Sequence, residues 1–184
     1  MDPFTPDFVG LKLGKQEADV VTISHNHDDH NYQEALKSEA LVFDSAGEYE
    51  YKETEFIGVP ASHGNERGMV TMFTMEIDDI KICHLGDLGE ELSSDQLDKI
   101  DGVDVLLVPV GGKYTLDPKG AVKVISQIEP KIVIPMHYQA GKMQDLAPLS
   151  AFLKEMGATP TPQEKLKVTT KDLPEELEVV VLKS

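Results

Sequence analysis

The chain has 184 residues, 40% hydrophobic and 27% charged, which is enough for one buried core and too apolar for wholesale disorder. Lys and Arg number 17 against 33 Asp and Glu, a formal charge of −16, and Arg67 is the one arginine, which disfavours a binder of phosphate backbones through a basic surface. The single cysteine, Cys83, rules out an internal disulfide framework and a four-cysteine zinc ribbon. No apolar run approaches the roughly 18 residues of a membrane span, and Met1–Gly10 has neither the basic nor the apolar region of a signal peptide. A soluble, cytoplasmic protein with no membrane partner is expected.

The predicted elements run as follows. Asp19–Ser24 is short, apolar and β-branched, the pattern of a buried strand. A helix is expected over Asn31–Ser38. Glu48–Lys52, Glu55–Pro60 and Val70–Ile77 follow as successive strands, and Ile80–Leu85 as a further apolar one. Ser93 and Gln96 stand at capping-box spacing and open a helix that Asp101-Gly102 closes. Val103–Val110 is another apolar strand. Asp117-Pro118 sets a cap residue before a proline at the first helical position, opening a helix over Lys119–Ile128. Lys131–Pro135 is a strand, Ala147–Met156 a helix ended by Gly157, and Leu177–Leu182 a closing strand. The acidic run Glu175-Glu176-Leu177-Glu178 is a solvated surface. A strand-rich first half and an alternating second half suggest two packed sheets with helices outside; a doubly wound sheet also fits the pattern.

Six histidines carry the chemistry: His25, His27, His30, His63, His84 and His137. Three fall in His25-Asn26-His27-Asp28-Asp29-His30, directly after a predicted buried strand. In extended backbone, residues two apart point the same way, so His25 and His27 can address one metal ion. Asp29 and His30 fall where the loop turns and can face a second centre. Imidazole and carboxylate suit zinc, with manganese or iron less selectively bound. Asp28 is an exposed or capping residue. His63, Asp87 and His137 each follow a predicted strand. Asp87 sits in Gly86-Asp87-Leu88-Gly89, whose glycines permit close backbone approach, and its two oxygens suit it to link two cations.

These motifs resemble the metallo-β-lactamase-fold hydrolase superfamily: HNHDDH at 25–30, Ser62-His63-Gly64, Gly86-Asp87 and Pro135-Met136-His137-Tyr138 stand in that family's order over nearly the whole chain. More narrowly, the stretches around His84–Gly89, Val108–Pro118 and Ile132–Tyr138 resemble Zn-dependent hydrolases close to ascorbate-6-phosphate lactonase. The resemblance implies an α/β (α+β) fold, an αββα sandwich of two mixed β-sheets with outer helices and the site at one edge. It implies that His25, His27 and His63 hold one metal, that Asp29, His30 and His137 hold the second, and that Asp87 bridges them. Asp87 stands where β-lactam-hydrolysing branches carry Cys, which argues against a β-lactamase. His27 stands where redox diiron relatives carry Glu, which argues for zinc or manganese hydrolysis.

Two departures stand out. Asp2-Pro3-Phe4 follows Met1 directly, where family members begin with a β-hairpin of roughly two dozen residues. A single domain over 1–184 lacking that hairpin is therefore expected, with Asp2 as a structural acid under the site. The stretch His63–Met69 is also shorter than the loop that relatives carry there.

The expected activity is hydrolysis of an ester, lactone or phosphoester by a metal-bridging hydroxide on two divalent ions, Zn2+ with Mn2+ or Fe2+ as alternatives. Asp29 both ligates and takes part in proton transfer, and His84 serves as a donor or proton shuttle behind the metals. Cys83 is a buried small hydrophobe. Arg67, Lys113, Thr115 and Tyr138 are the candidate substrate rim. The partner is a small molecule; a homo-oligomer is compatible, and nucleic acid is disfavoured by scarce Arg. A metal-dependent nuclease or phosphodiesterase is the alternative activity, and a non-catalytic metal-binding remnant the alternative class.

Overall fold

A computed structural model describes residues 1–64 and 67–183. Two sheets form. β1 (Val20–Thr22) pairs in parallel with β2 (Leu41–Phe43). The second sheet has seven strands in chain order: β3 (Gly47–Tyr51), β4 (Thr54–Ser62), β5 (Met69–Ile77), β6 (Ile80–His84), β7 (Val105–Pro109), β8 (Ile132–Met136) and β9 (Glu178–Val179). Its first four strands are antiparallel neighbours and β6 to β9 are parallel. Two-residue turns join β3 to β4 and β5 to β6. Lys52, Glu53, Asp78 and Asp79 all take positive φ there, the geometry that matches the twist of a tight hairpin. The helices are α1 (Pro6–Val9), α2 (Ser94–Lys99), α3 (Pro118–Ile128) and α4 (Leu149–Met156).

Local chemistry accounts for the helix ends. Ser93 and Gln96 form the capping box reciprocally, and the Asp117 side chain accepts from the Gly120 N–H with Pro118 just inside the helix. Gly157 stops α4 in the left-handed conformation. Val124, Ile125 and Phe152 from α3 and α4 are buried with Leu106, Val108 and Val133 of the large sheet. On the opposite face, Phe43 of β2 meets Phe56 and Phe73. Beyond the small sheet, Leu166, Val168 and Leu173 cover Ile80, Val105 and Ile132. The two-sheet, helix-flanked α+β sandwich implied by the resemblance is thus present. Among the described residues no helix is long and apolar enough to cross a membrane.

Three expectations need correction. The helix over Asn31–Ser38 is only a single 3-10 turn at Gln33–Ala35. Leu36 is extended there and pairs with Gln16, so a bridge distant in sequence overrides local helix preference. The closing strand shortens to Glu178–Val179, because Leu182 bridges Gln163 instead. α4 begins at Leu149, two residues later than expected, behind Pro148.

Direction matters most for function. β4 runs antiparallel to β5, which runs antiparallel to β6, and β6, β7 and β8 are parallel. β4, β6 and β8 therefore all end at one edge. His63, Asp87 and His137 follow those three ends, and the 25–30 loop follows the end of β1.

Candidate metal centre

The residues after these strand ends converge. Among the described residues, donor atoms of His25, His27 and His63 lie within 4.8 Å of one another, as do those of Asp29, His30 and His137. A third such set is Asp2, His25 and His30. Asp87 lies between. Its Oδ1 is 3.2 Å from His30 Nε2, and its Oδ2 is 3.5 Å from His137 Nε2, 3.6 Å from His63 Nε2 and 3.8 Å from His25 Nε2. Asp29 Oδ2 is 3.6 Å from both His30 Nε2 and His137 Nε2.

Close packing of backbone brings these groups together. A Cβ on Gly89 would stand 2.3 Å from the His63 carbonyl oxygen, and one on Gly111 would stand 2.2 Å from that of His137. Both positions thus require glycine for space. Gly111 therefore serves packing behind His137, while Gly112 holds φ 65°, a left-handed conformation that glycine takes without steric cost. His137 itself holds φ 50°, a left-handed conformation that costs on the order of 1 kcal/mol and is sustained by this packing.

Hydrogen bonds behind these imidazoles fix which nitrogen faces inward. The Ser24 hydroxyl donates to Asp2 Oδ2 (2.5 Å) and accepts from His25 Nδ1–H (2.9 Å). His30 Nδ1–H donates to Asp2 Oδ2 (2.8 Å), and His63 Nδ1–H donates to the Tyr114 carbonyl (3.1 Å). Nε2 of His25, His30 and His63 is then turned toward the centre. His30 Nε2, His63 Nε2 and Asp87 Oδ1 are buried and have no hydrogen-bond partner. Buried polar atoms left unpaired are costly, and three of them facing one point form a donor set that fits divalent cations.

Charge follows the same geometry. Burial holds His25 at about 4 with the neighbouring His30 charge acting the same way, and burial also lowers His63, so the charged form of both rings is disfavoured. Burial works against the charge of Asp87, yet the surrounding imidazoles, His30 foremost at 3.2 Å, hold its carboxyl well below the ordinary range. Burial likewise opposes Asp2, and His84, His30 and Ser24 bring it to about 2.

The remaining predicted residues lie around this centre. His84 is buried, 4.0 Å from Asp2 Oδ2, and accepts from the Gly86 N–H; burial lowers it to about 4. Its ring faces Asp2 and belongs to none of the three donor sets. The Arg67 guanidinium lies 3.8 Å over the Tyr114 ring, and Lys113 pairs with Asp145 beside that ring. Thr115 is buried, its hydroxyl donating to the Leu116 carbonyl, and Tyr138 is half-buried. Within the stretch 63–69, residues 65 and 66 lie outside the described residues. Sequence reasoning missed Ser24 and the Tyr114 carbonyl. The neighbour of His25 is readable as a partner for a ligand's second nitrogen, but a backbone oxygen carries no signal in the sequence.

Comparisons with known proteins agree with this geometry. A family model described as "Beta-lactamase superfamily domain" matches residues 1–137. A UPF0173 metal-dependent hydrolase of Staphylothermus marinus is 42% identical over 79 residues, covering 43% of this chain and 35% of that protein. The chain thus aligns with about a third of that relative's length. A UPF0173 metal-dependent hydrolase of Carboxydothermus hydrogenoformans is 28% identical over 169 residues, covering 74% and 75% respectively. A crystal structure from Thermotoga maritima, of a protein assigned by name to the Zn-dependent hydrolases of the metallo-beta-lactamase superfamily, superposes with a TM-score of 0.78. Its identity is 36% and the match covers 98% of this chain and 87% of that one.

Proposed function

The chain belongs to the beta-lactamase superfamily domain family, and from that premise we propose that it is a hydrolase acting through two divalent cations, zinc first, at the His–Asp centre. His25, His27 and His63 would hold one cation, and Asp29, His30 and His137 the other. Asp87 would span them. The observation that carries this is Asp87 itself, a buried carboxylate 3.2 to 3.8 Å from Nε2 of four histidines drawn from both sets, with one oxygen unpaired. Paired divalent cations, when bound, acidify a shared water and polarise the oxygen of the bond being cut. They also supply the positive charge that a chain of net charge −16 lacks.

The protein's own groups then have distinct tasks. Asp2, through His30 directly and His25 by way of Ser24, keeps two imidazoles turned inward. Asp29, next to His30 and His137 and less buried than Asp87, takes up the proton released by the attacking water and returns it to the leaving group. His84 acts through Asp2 as a positioning residue. The scissile bond is that of an ester, lactone or phosphoester. The lactonase-like branch rests on the likeness of the His84–Gly89 and Ile132–Tyr138 stretches.

Metal analysis of the purified protein tests this together with a screen of p-nitrophenyl esters, lactones and bis-p-nitrophenyl phosphate. The wild type should carry two ions per chain and turn over at least one substrate. Asp87→Ala should lose at least one ion and about 100-fold or more of the activity. Two bound ions with no turnover on any substrate would favour the non-catalytic remnant, and full metal and turnover in Asp87→Ala would refute the bridging role.

A further inference from the structure

One wall of the centre opens into a cavity of about 300 Å³. His30, His137 and Asp29, the second metal set, line one part of it. Most of the rest is hydrocarbon or aromatic ring, with Leu11, Tyr138 and Met143 among the lining groups. Among the described residues no lysine or arginine reaches it, and none of His25, His27 or His63 does. Arg67 and Lys113 sit instead around Tyr114, whose carbonyl holds His63 of the other set.

Resting on the hydrolase reading above, we infer that this cavity receives the hydrocarbon arm of the substrate, so that the substrate is a carboxylic ester or lactone carrying an apolar chain. A phosphoryl substituent placed there would meet the Asp2 and Asp29 carboxylates and hydrocarbon, with no lysine or arginine to balance it. An alkyl chain loses only water. At about 30 Å³ per water-sized atom the space takes roughly ten atoms, an arm of about six to ten carbons. Because the second metal set forms the wall, a chain seated here ends beside the atoms that would act on its carbonyl.

The test uses the metal-loaded protein and p-nitrophenyl acetate, butyrate, hexanoate and octanoate, with bis-p-nitrophenyl phosphate alongside. Each methylene drawn out of water raises kcat/KM by up to about fourfold, so octanoate should exceed acetate by at least about tenfold. Met143→Glu puts a charge into the cavity and should cut the octanoate-to-acetate ratio about tenfold or more; Met143→Leu, matched in size and polarity, should keep it. A flat chain-length profile, an unchanged ratio in Met143→Glu, or faster turnover of the phosphodiester than of octanoate would overturn the inference. If protein holding its metal cleaves no ester, the hydrolase reading fails by itself, and 1-octanol titrated calorimetrically into the wild type and Met143→Glu decides the cavity. Binding by the wild type that Met143→Glu loses supports an apolar-chain site, and no binding by the wild type overturns it.

Discussion

At the scale of single residues, the centre depends on groups that would touch no metal. Ser24 passes the orientation of Asp2 on to His25, and its side chain is buried with no room to spare, since a Cβ on Gly86 would stand 2.5 Å from its own. Ser24→Ala removes that relay and leaves His25 Nδ1 without its acceptor, while Asp2 keeps the Ser24 N–H and His30. The expected outcome is a 10- to 100-fold weaker affinity (roughly the cost of losing a ligand's outer partner) at the His25–His27–His63 set. Competition with a fluorescent chelator measures it, and an unchanged affinity would show that His25 is oriented by other means.

Cys83 gives a second residue-scale test, well removed in character from the metal chemistry. It is fully buried in β6, and burial pushes its thiol up to about 12 from an ordinary 9.0. Below pH 9 both folded and unfolded chains keep the proton, so Cys83 adds no pH dependence there. Above it the unfolded chain releases the proton and the folded one does not. Stability should therefore fall as pH rises from 9 toward 12, by at most about 1.4 kcal/mol per pH unit from this group. Urea midpoints at pH 8, 9.5 and 10.5 read the slope. Cys83→Ala should flatten it, and an identical slope in that variant would remove the thiol from the account.

At the scale of elements, the helices hold the large sheet in place behind the site. Phe152 of α4 is completely buried among residues of α3 and the sheet. Phe152→Ala should cost about 3–5 kcal/mol, visible as a lower urea midpoint at unchanged slope, while a cost under about 1 kcal/mol would mean that α4 is not part of the cooperative core. Elements whose causes are local were legible in the sequence: the Ser93 and Asp117 caps, the Gly157 stop and the apolar runs that became β4 to β8. Those whose causes are distant were not. β2 exists because Leu41–Phe43 pairs with β1 and Phe43 finds Phe56, and the expected helix at 31–38 gives way to the bridge with Gln16. The centre divides in the same way. Side chains in the 25–30 loop and at strand ends stand out by residue type, whereas the Tyr114 carbonyl and the apolar cavity arise only from packing.

At the scale of the whole molecule, sheet direction and charge meet at one edge. Strands ending on the same side carry candidate ligands from positions 25 to 137 to a single point, and they do so inside a chain of net charge −16. Without cations, that point keeps buried His30 Nε2, His63 Nε2 and Asp87 Oδ1 unpaired, each at a cost of roughly 1–3 kcal/mol. Binding that is specific to the folded chain should therefore stabilise the whole fold, since the ligands come from β1, β4, β6 and β8 regions that unfold together. Free metal at 100 times its dissociation constant adds about 2.7 kcal/mol per site. For a domain of this size that is about 5–10 °C in Tm. Thermal unfolding followed with zinc and with EDTA should differ by that amount for one ion and by about twice it for two. A shift that tracks ionic strength instead, reproduced by magnesium-free sodium chloride at equal strength, would assign the effect to screening of the acidic surface and not to the centre.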